Sequence, residues 1–173
     1  MRRSAGVTSG TDPIAQRLRR FREYGFADGV RISRTLGFNS RLDAIQAAVL
    51  TVPLPHLDAG NRERRAITGR YRAALSDADP LTMQADDPGS VHHQFAIAHP
   101  ARGDLAMALA DRGIGTAIHY DPGLHRHPAF ADAAPMPVTD RLAASLLSLP
   151  VQPEVAGTEA ARIAAAVREA ISR

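Results

Sequence analysis

The sequence contains no cysteine and no lysine, and each absence closes a chemistry. Without cysteine there is no disulfide, no thiolate zinc site and no cysteine nucleophile, a composition compatible with a reducing cytoplasm. All 21 basic residues are arginine. A side-chain Schiff base with an aldehyde or ketone needs a lysine amine, so no side chain here can form one. A GC-rich genome would account for much of this arginine bias. Long apolar runs are missing too: nothing approaches the roughly eighteen apolar residues of a membrane helix, and the first residues lack the apolar core of a signal peptide. The net charge of +3 is too mild to imply nucleic acid by itself. A soluble, cytoplasmic protein is expected.

What is present bounds the answer further. At 173 residues, 45% of them hydrophobic, the chain can bury a sizeable core as one domain, or one domain plus an appended segment. Residues 37–50 hold the densest cluster of signals. Ser40 followed three residues later by Asp43 fits a capping pattern at a helix start. Leu42, Ile45 and Val49 then recur at helical spacing, which predicts a buried stripe and a positive helix end attractive to phosphate. Asn39 offers amide donors there and Arg41 a guanidinium fork. The same pattern also fits a capped core helix whose Asn and Arg only order a loop.

In chain order, residues 1–10 carry no hydrophobic pattern and are expected to form a disordered edge. Thr11 or Asp12 can cap a helix with Pro13 at its first position, Ile14, Leu18 and Phe21 on its apolar face, and Gly25 at its end. Arg17, Arg19, Arg20 and Arg22 make this helix basic, which suits a solvated face or a nucleic-acid face. Residues 26–38 read as a loop with weak strand character. Pro53 and Pro55 predict a break. A longer helix over about 56–75 follows, with Leu57, Ile67, Tyr71 and Leu75 inward and Asp58 facing Arg62. Residues 61–72 carry five arginines, so one face is wet or held against a partner. A stretch rich in Asp, Pro and Gly over 76–89 marks a boundary. The expected organisation is therefore an edge over 1–10, a helical connecting region over 11–89 and a small α/β domain over 90–173.

The second part changes period. Val91, His93, Phe95 and Ile97 alternate as a strand, and 102–113 reads as a short helix with Leu105 and Leu109 inward and Gly113 as a left-handed cap. A strand over 114–120 would set Ile114, Thr116, Ile118 and Tyr120 on one face. His119 would lie on the other with Gly115 and Ala117, where a ligand could fit. A loop rich in histidine and proline over 121–130 precedes a helix over about 139–147, a short strand over 147–151 and a last helix over 158–172. That last helix carries Ile163, Val167 and Ile171 on one face. The order β-α-β, loop, α, β, α predicts a two-layer α/β unit.

His119, Asp121, His125 and His127 are metal-ligand types, but no closed ligand spacing accompanies them and prolines hold the loop open, so no metal is expected. No Gly-x-Ser-x-Gly elbow supports Ser/His/Asp catalysis. These histidines either order their loop or meet a substrate.

Several motifs recur in order. They are Gly37-Phe38-Asn39-Ser40-Arg41-Leu42-Asp43 with Ile45-Gln46-Ala47-Ala48, Leu54-Pro55-His56-Leu57-Asp58 with Arg64-Arg65, and Gly113-Ile114-Gly115-Thr116 with Ile118-His119-Tyr120. Leu124-His125 and Leu147-Ser148-Leu149-Pro150 complete the series. Together they resemble the nucleotide-sugar aminotransferases of the DegT/DnrJ type, which use pyridoxal phosphate (PLP), from about Thr11 to the C-terminus. The resemblance implies the small C-terminal α/β domain of a fold-type I aminotransferase, preceded by long connecting helices. The large domain with PLP and its lysine is absent, as is the Gly-Glu-Gly-Gly stretch expected before the basic helix, so the chain is expected to begin just after the cofactor site.

By the same resemblance, Asn39 and Arg41 would hold the PLP phosphate in a neighbouring subunit's site, and His119, Tyr120 and His125 would line the sugar-nucleotide side. Pro53 departs from the family, where the helix continues. The family moves an amino group from glutamate or glutamine to a keto-sugar nucleotide by way of PLP. With no lysine, this chain could contact PLP only at its phosphate, contributes no catalytic residue and is expected to be inactive alone. Its implied partner is an intact or complementary aminotransferase subunit in an oligomer. The alternative is a non-catalytic partner or regulatory module that pairs with an intact aminotransferase. Neither nucleic acid nor membrane is an expected partner, and apolar surface is expected where a large domain would lie.

Overall fold

The computed structural model describes residues 13–27, 29–130, 132–155 and 157–172. Two compact units divide between Pro55 and His56. In the first, α1 (Pro13–Arg22) starts at its proline, whose missing N–H costs nothing there. The expected cap at Thr11 or Asp12 and the edge over 1–10 lie outside the described residues. Gly25, at φ +75°, turns the chain out of the helix. An antiparallel hairpin follows, β1 (Phe26–Ala27) against β2 (Val30–Ser33). Then comes α2 (Ala44–Thr51), which stops short of Pro53 and Pro55 and gives way to a 3₁₀ turn over Leu54–His56.

The start of α2 corrects two expectations. Asp43 alone is the cap, its carboxylate accepting the Ile45 N–H at 2.9 Å. Ser40 is not part of it: its N–H donates to the Arg22 carbonyl at 3.0 Å and ties the loop to α1. The stripe of Leu42, Ile45 and Val49 is helical in spacing but not buried, at 56%, 76% and 64% exposure. Among the described residues of this unit, nothing buries that face. On α1 likewise only Ala15 is buried, while Ile14 and Leu18 are exposed.

The second unit is built around α3 (Leu57–Ala74), whose eighteen residues span about 27 Å. Ile67, Tyr71 and Leu75 are buried as the period predicts, but Leu57 is exposed, and Asp58 and Arg62 form no ion pair. Three of its five arginines tie it to backbone carbonyls. Arg65 donates to Ser90 at 2.9 Å, Arg72 to Gln84 at 2.8 Å and Arg70 to Gly157 at 3.3 Å. The arginine face is mostly solvent-exposed, as one of the two expectations had it, and these ties hold the 84–90 loop and the start of the last helix to α3.

The sheet has three antiparallel strands in the order β3 (Thr82–Met83), β4 (Phe95–Ala98), β5 (Leu146–Leu149). Register sets Phe95 opposite Leu149 and Ile97 opposite Leu147, so one face is continuously apolar. Against it pack α3, α4 (Arg102–Ala110) with Leu105 and Leu109, and α6 (Thr158–Ile171) with Ile163 and Val167. The alanines of α6, Ala160 and Ala164, are buried and allow close approach. Tyr71 seals the centre, its hydroxyl donating to the Pro150 carbonyl at 2.8 Å; burial first, and the Glu159 charge second, push its pKa up. Gly113, at φ +70°, turns the chain after α4. Helix α5 (Pro137–Ser145) leads directly into β5.

Three expectations change here. The strand over 114–120 is reduced to one bridge, Ala117 to Ser148, because Ile118 and Tyr120 are exposed and no second apolar layer rewards the alternation. The first strand begins at Phe95 rather than Val91, with His92 and not His93 buried before it. The helical region expected over 11–89 does not stay together, since α3 packs on α6 and belongs with the sheet. The class remains a mixed α/β unit. Among the described residues no helix is long and apolar enough to cross a membrane.

Candidate functional site

In the first unit, a backbone crossing fixes the loop that carries Asn39 and Arg41. Phe38 donates to Phe21 at 2.6 Å and Tyr24 to Phe38 at 3.1 Å, and Asn39 bridges Glu23. The crossing leaves no room for side chains: a Cβ on Gly37 would lie 2.1 Å from the Gly25 nitrogen, and one on Gly25 1.8 Å from the Thr35 carbonyl oxygen. Arg41 Nε donates to Asn39 Oδ1 at 3.4 Å, so the two side chains come together as expected. That contact turns the Asn39 carbonyl oxygen toward Arg41 and leaves the Asn39 amide N–H groups and the outer guanidinium nitrogens as donors, with one lone pair on Oδ1 still open.

Arg41 also stands 6.0 Å from the Tyr24 ring and lines a groove of about 470 Å³ with Tyr24, Glu23, Phe26 and Arg31. Tyr24 and Arg31 escape sequence reading because hairpin pairing, not local spacing, brings them to Arg41. The helix end contributes less than expected, since Asp43 already takes an N–H of the first turn. A phosphate here would be held by side-chain donors rather than by the helix end. The donor set fits a phosphate group. It offers no amine for an aldehyde.

In the second unit, His119 is half-buried and its Nδ1 lies 3.2 Å from Ser148 Oγ. With Gly115 and Ala117 it lines a groove of about 430 Å³ along β5. Tyr120 is exposed, its ring edge-on to His119 at 5.5 Å. His125 turns elsewhere. Its side chain is 5% exposed, with Nε2 2.9 Å from Asp140 Oδ1 and Nδ1 buried without a partner. Arg126 grips the same carboxylate with two hydrogen bonds of 2.9 and 2.6 Å. The Arg126 bond is the largest of the influences that hold Asp140 below the usual carboxylate range, with smaller help from His125. Asp121 is taken by Arg102 at 2.8 Å, and His127 Nε2 lies 3.3 Å from the Pro122 carbonyl. The four possible metal ligands are thus separately engaged, and among the described residues no three such side chains converge.

The DegT/DnrJ/EryC1/StrS aminotransferase family model matches residues 5–168. The chain belongs to that family. A relative from Streptomyces venezuelae, dTDP-3-amino-3,4,6-trideoxy-alpha-D-glucose transaminase, is 38% identical over 169 residues, 94% of this chain and 44% of that protein. A Geobacillus stearothermophilus relative named pleiotropic regulatory protein is 34% identical over 86% of this chain and 42% of its own length. Among solved structures, S. venezuelae DesV in complex with a ketimine intermediate superposes with a TM-score of 0.85 at 37% identity, over 94% of this chain and 45% of that one. The chain spans less than half the length of these relatives. It is a partial α/β aminotransferase domain, related to sugar aminotransferases.

Proposed function

We propose that this chain is the C-terminal part of a PLP-dependent sugar-nucleotide aminotransferase and works only with polypeptide that carries the missing lysine. The observation that carries the reading is the contact between Asn39 and Arg41, whose free amide and guanidinium N–H groups are donors suited to a phosphate, in a chain with no lysine. PLP, when bound, supplies the electron sink for moving an amino group from glutamate or glutamine to a keto-sugar nucleotide. Asn39 and Arg41 hold its phosphate. His119, steadied by Ser148, and the exposed Tyr120 meet the sugar nucleotide. His125 serves the substrate side only indirectly, ordering its loop through Asp140. The assembly is an oligomer of the cytoplasm.

The test supplies keto-sugar nucleotide, glutamate and PLP. The chain alone forms no amino sugar, and adding a polypeptide with the large domain and its lysine restores the product. Arg41→Gln then lowers PLP capture by about tenfold or more, the loss of a charge-assisted bond. Amino-sugar formation by the chain alone overturns the reading.

A second reading, a regulatory or non-catalytic module that pairs with an intact aminotransferase, draws support from the Geobacillus relative's name. In that case the chain co-elutes with an intact enzyme and alters its rate, and Arg41→Gln changes neither effect.

A further inference from the structure

Tyr24 stands in a conformation that its own chemistry disfavours. Its φ is +58°, in the left-handed region that is costly for a bulky side chain and open to glycine. Three neighbours hold it there. Its N–H donates to the Phe38 carbonyl at 3.1 Å, its own carbonyl accepts the Ser33 hydroxyl at 2.7 Å, and its carbonyl carbon lies 2.5 Å from where a Cβ on Gly37 would be. A bulky residue kept in such a conformation by its surroundings points to a use for that side chain.

What the ring touches suggests that use. It meets the Phe26 ring at 5.5 Å and the Arg41 guanidinium at 6.0 Å. Glu23 lines the same groove as Arg41, yet among the described residues no ion pair joins the two. An arginine beside a carboxylate gains by closing on it, and once closed it has less charge and fewer N–H groups to offer a phosphate. Arg41 instead rests its Nε on Asn39 and its guanidinium beside an aromatic ring, which attracts the cation and takes none of its outer N–H groups.

We propose that Tyr24 is a positioning residue whose ring holds the Arg41 guanidinium off Glu23 and open to a phosphate. Tyr24 acts through Arg41 and makes no phosphate contact of its own. The inference rests on the reading of Asn39 and Arg41 as phosphate donors. A purely backbone role for Tyr24 makes the opposite prediction, because glycine takes a positive φ without strain and would serve at least as well.

Inorganic phosphate titrated into the full chain, followed by NMR on the amide resonances of the 37–43 loop, tests the proposal with neither PLP nor a lysine-bearing partner. Tyr24→Gly is expected to weaken phosphate binding by about threefold or more and to remove the ring-current shift of the Arg41 Nε–H resonance, which is assigned by its loss in Arg41→Gln. Tyr24→Phe keeps the ring and should match the parent in both. In a Glu23→Gln background, Tyr24→Gly should weaken binding by less than about twofold, because that carboxylate can no longer capture Arg41. Circular dichroism checks that each variant folds, and Tyr24→Asn, also at ease with a positive φ, should behave as Tyr24→Gly does. Parent-like binding by Tyr24→Gly, weakened binding by Tyr24→Phe, or an undiminished effect of Tyr24→Gly in the Glu23→Gln background would each overturn the proposal. Binding that Arg41→Gln leaves unchanged would instead overturn the phosphate reading beneath it.

Discussion

Gly37 shows how much one residue can fix. Its missing Cβ is what allows the 37–40 segment to cross Gly25 and bring Asn39 beside Glu23. Gly37→Ala would drive a methyl into backbone, not into a yielding side chain, so the loop must move. The expected outcome is loss of PLP-phosphate capture in the reconstituted enzyme with the second unit's stability unchanged, read by calorimetric melting. Asp140 offers a test by pH. Its folded pKa is lowered, first by the Arg126 hydrogen bond, so its contribution is present above the ordinary aspartate value and fades as pH falls through the lowered one. Urea midpoints measured from roughly pH 6 down to pH 2 should fall less steeply in Asp140→Asn than in the parent. An identical slope would show that the Arg126 and His125 contacts do not hold in solution. At this scale the Asn39 and Arg41 pair was legible, because two donors two positions apart in a loop is local information. Arg31 and Tyr24 were not, because their nearness to Arg41 depends on a hairpin with no strong pattern.

Elements whose apolar faces meet a core within this chain were read well. Ile67, Tyr71 and Leu75 on α3, Leu105 and Leu109 on α4, and Ile163 and Val167 on α6 keep helical period and are buried. Where the partner surface is missing, pattern misleads. Residues 114–120 alternate like a strand, yet only Ala117 pairs, and β3 is too short to leave any pattern at all. The α2 face is the clearest case: Leu42, Ile45 and Val49 keep the period of a buried stripe while lying exposed. Apolar residues along one helix face point to a contact that the described residues of this unit do not supply. Ile45→Glu/Val49→Glu should therefore leave the isolated chain's melting temperature within a degree or so, as expected of exposed positions, and abolish co-elution with a lysine-bearing aminotransferase polypeptide. A marked drop in stability of the isolated chain would mean instead that the face is covered by the chain itself.

For the whole molecule, composition and site point the same way. A chain of this family brings Asn39 and Arg41 together, buries an apolar core in its second unit, spans less than half of its relatives, and has no lysine for a Schiff base. On the proposed reading, catalysis is shared with polypeptide that carries the lysine, and this chain supplies the phosphate donors and the sugar-nucleotide wall. The most direct measurement uses an intact sugar aminotransferase of this family whose own loop asparagine and arginine have been replaced, so that it keeps its lysine but grips PLP weakly. Mixed with this chain, it should recover amino-sugar formation, and the Arg41→Gln form of the chain should fail to rescue it. No recovery with the parent chain, or equal recovery with Arg41→Gln, would contradict the account.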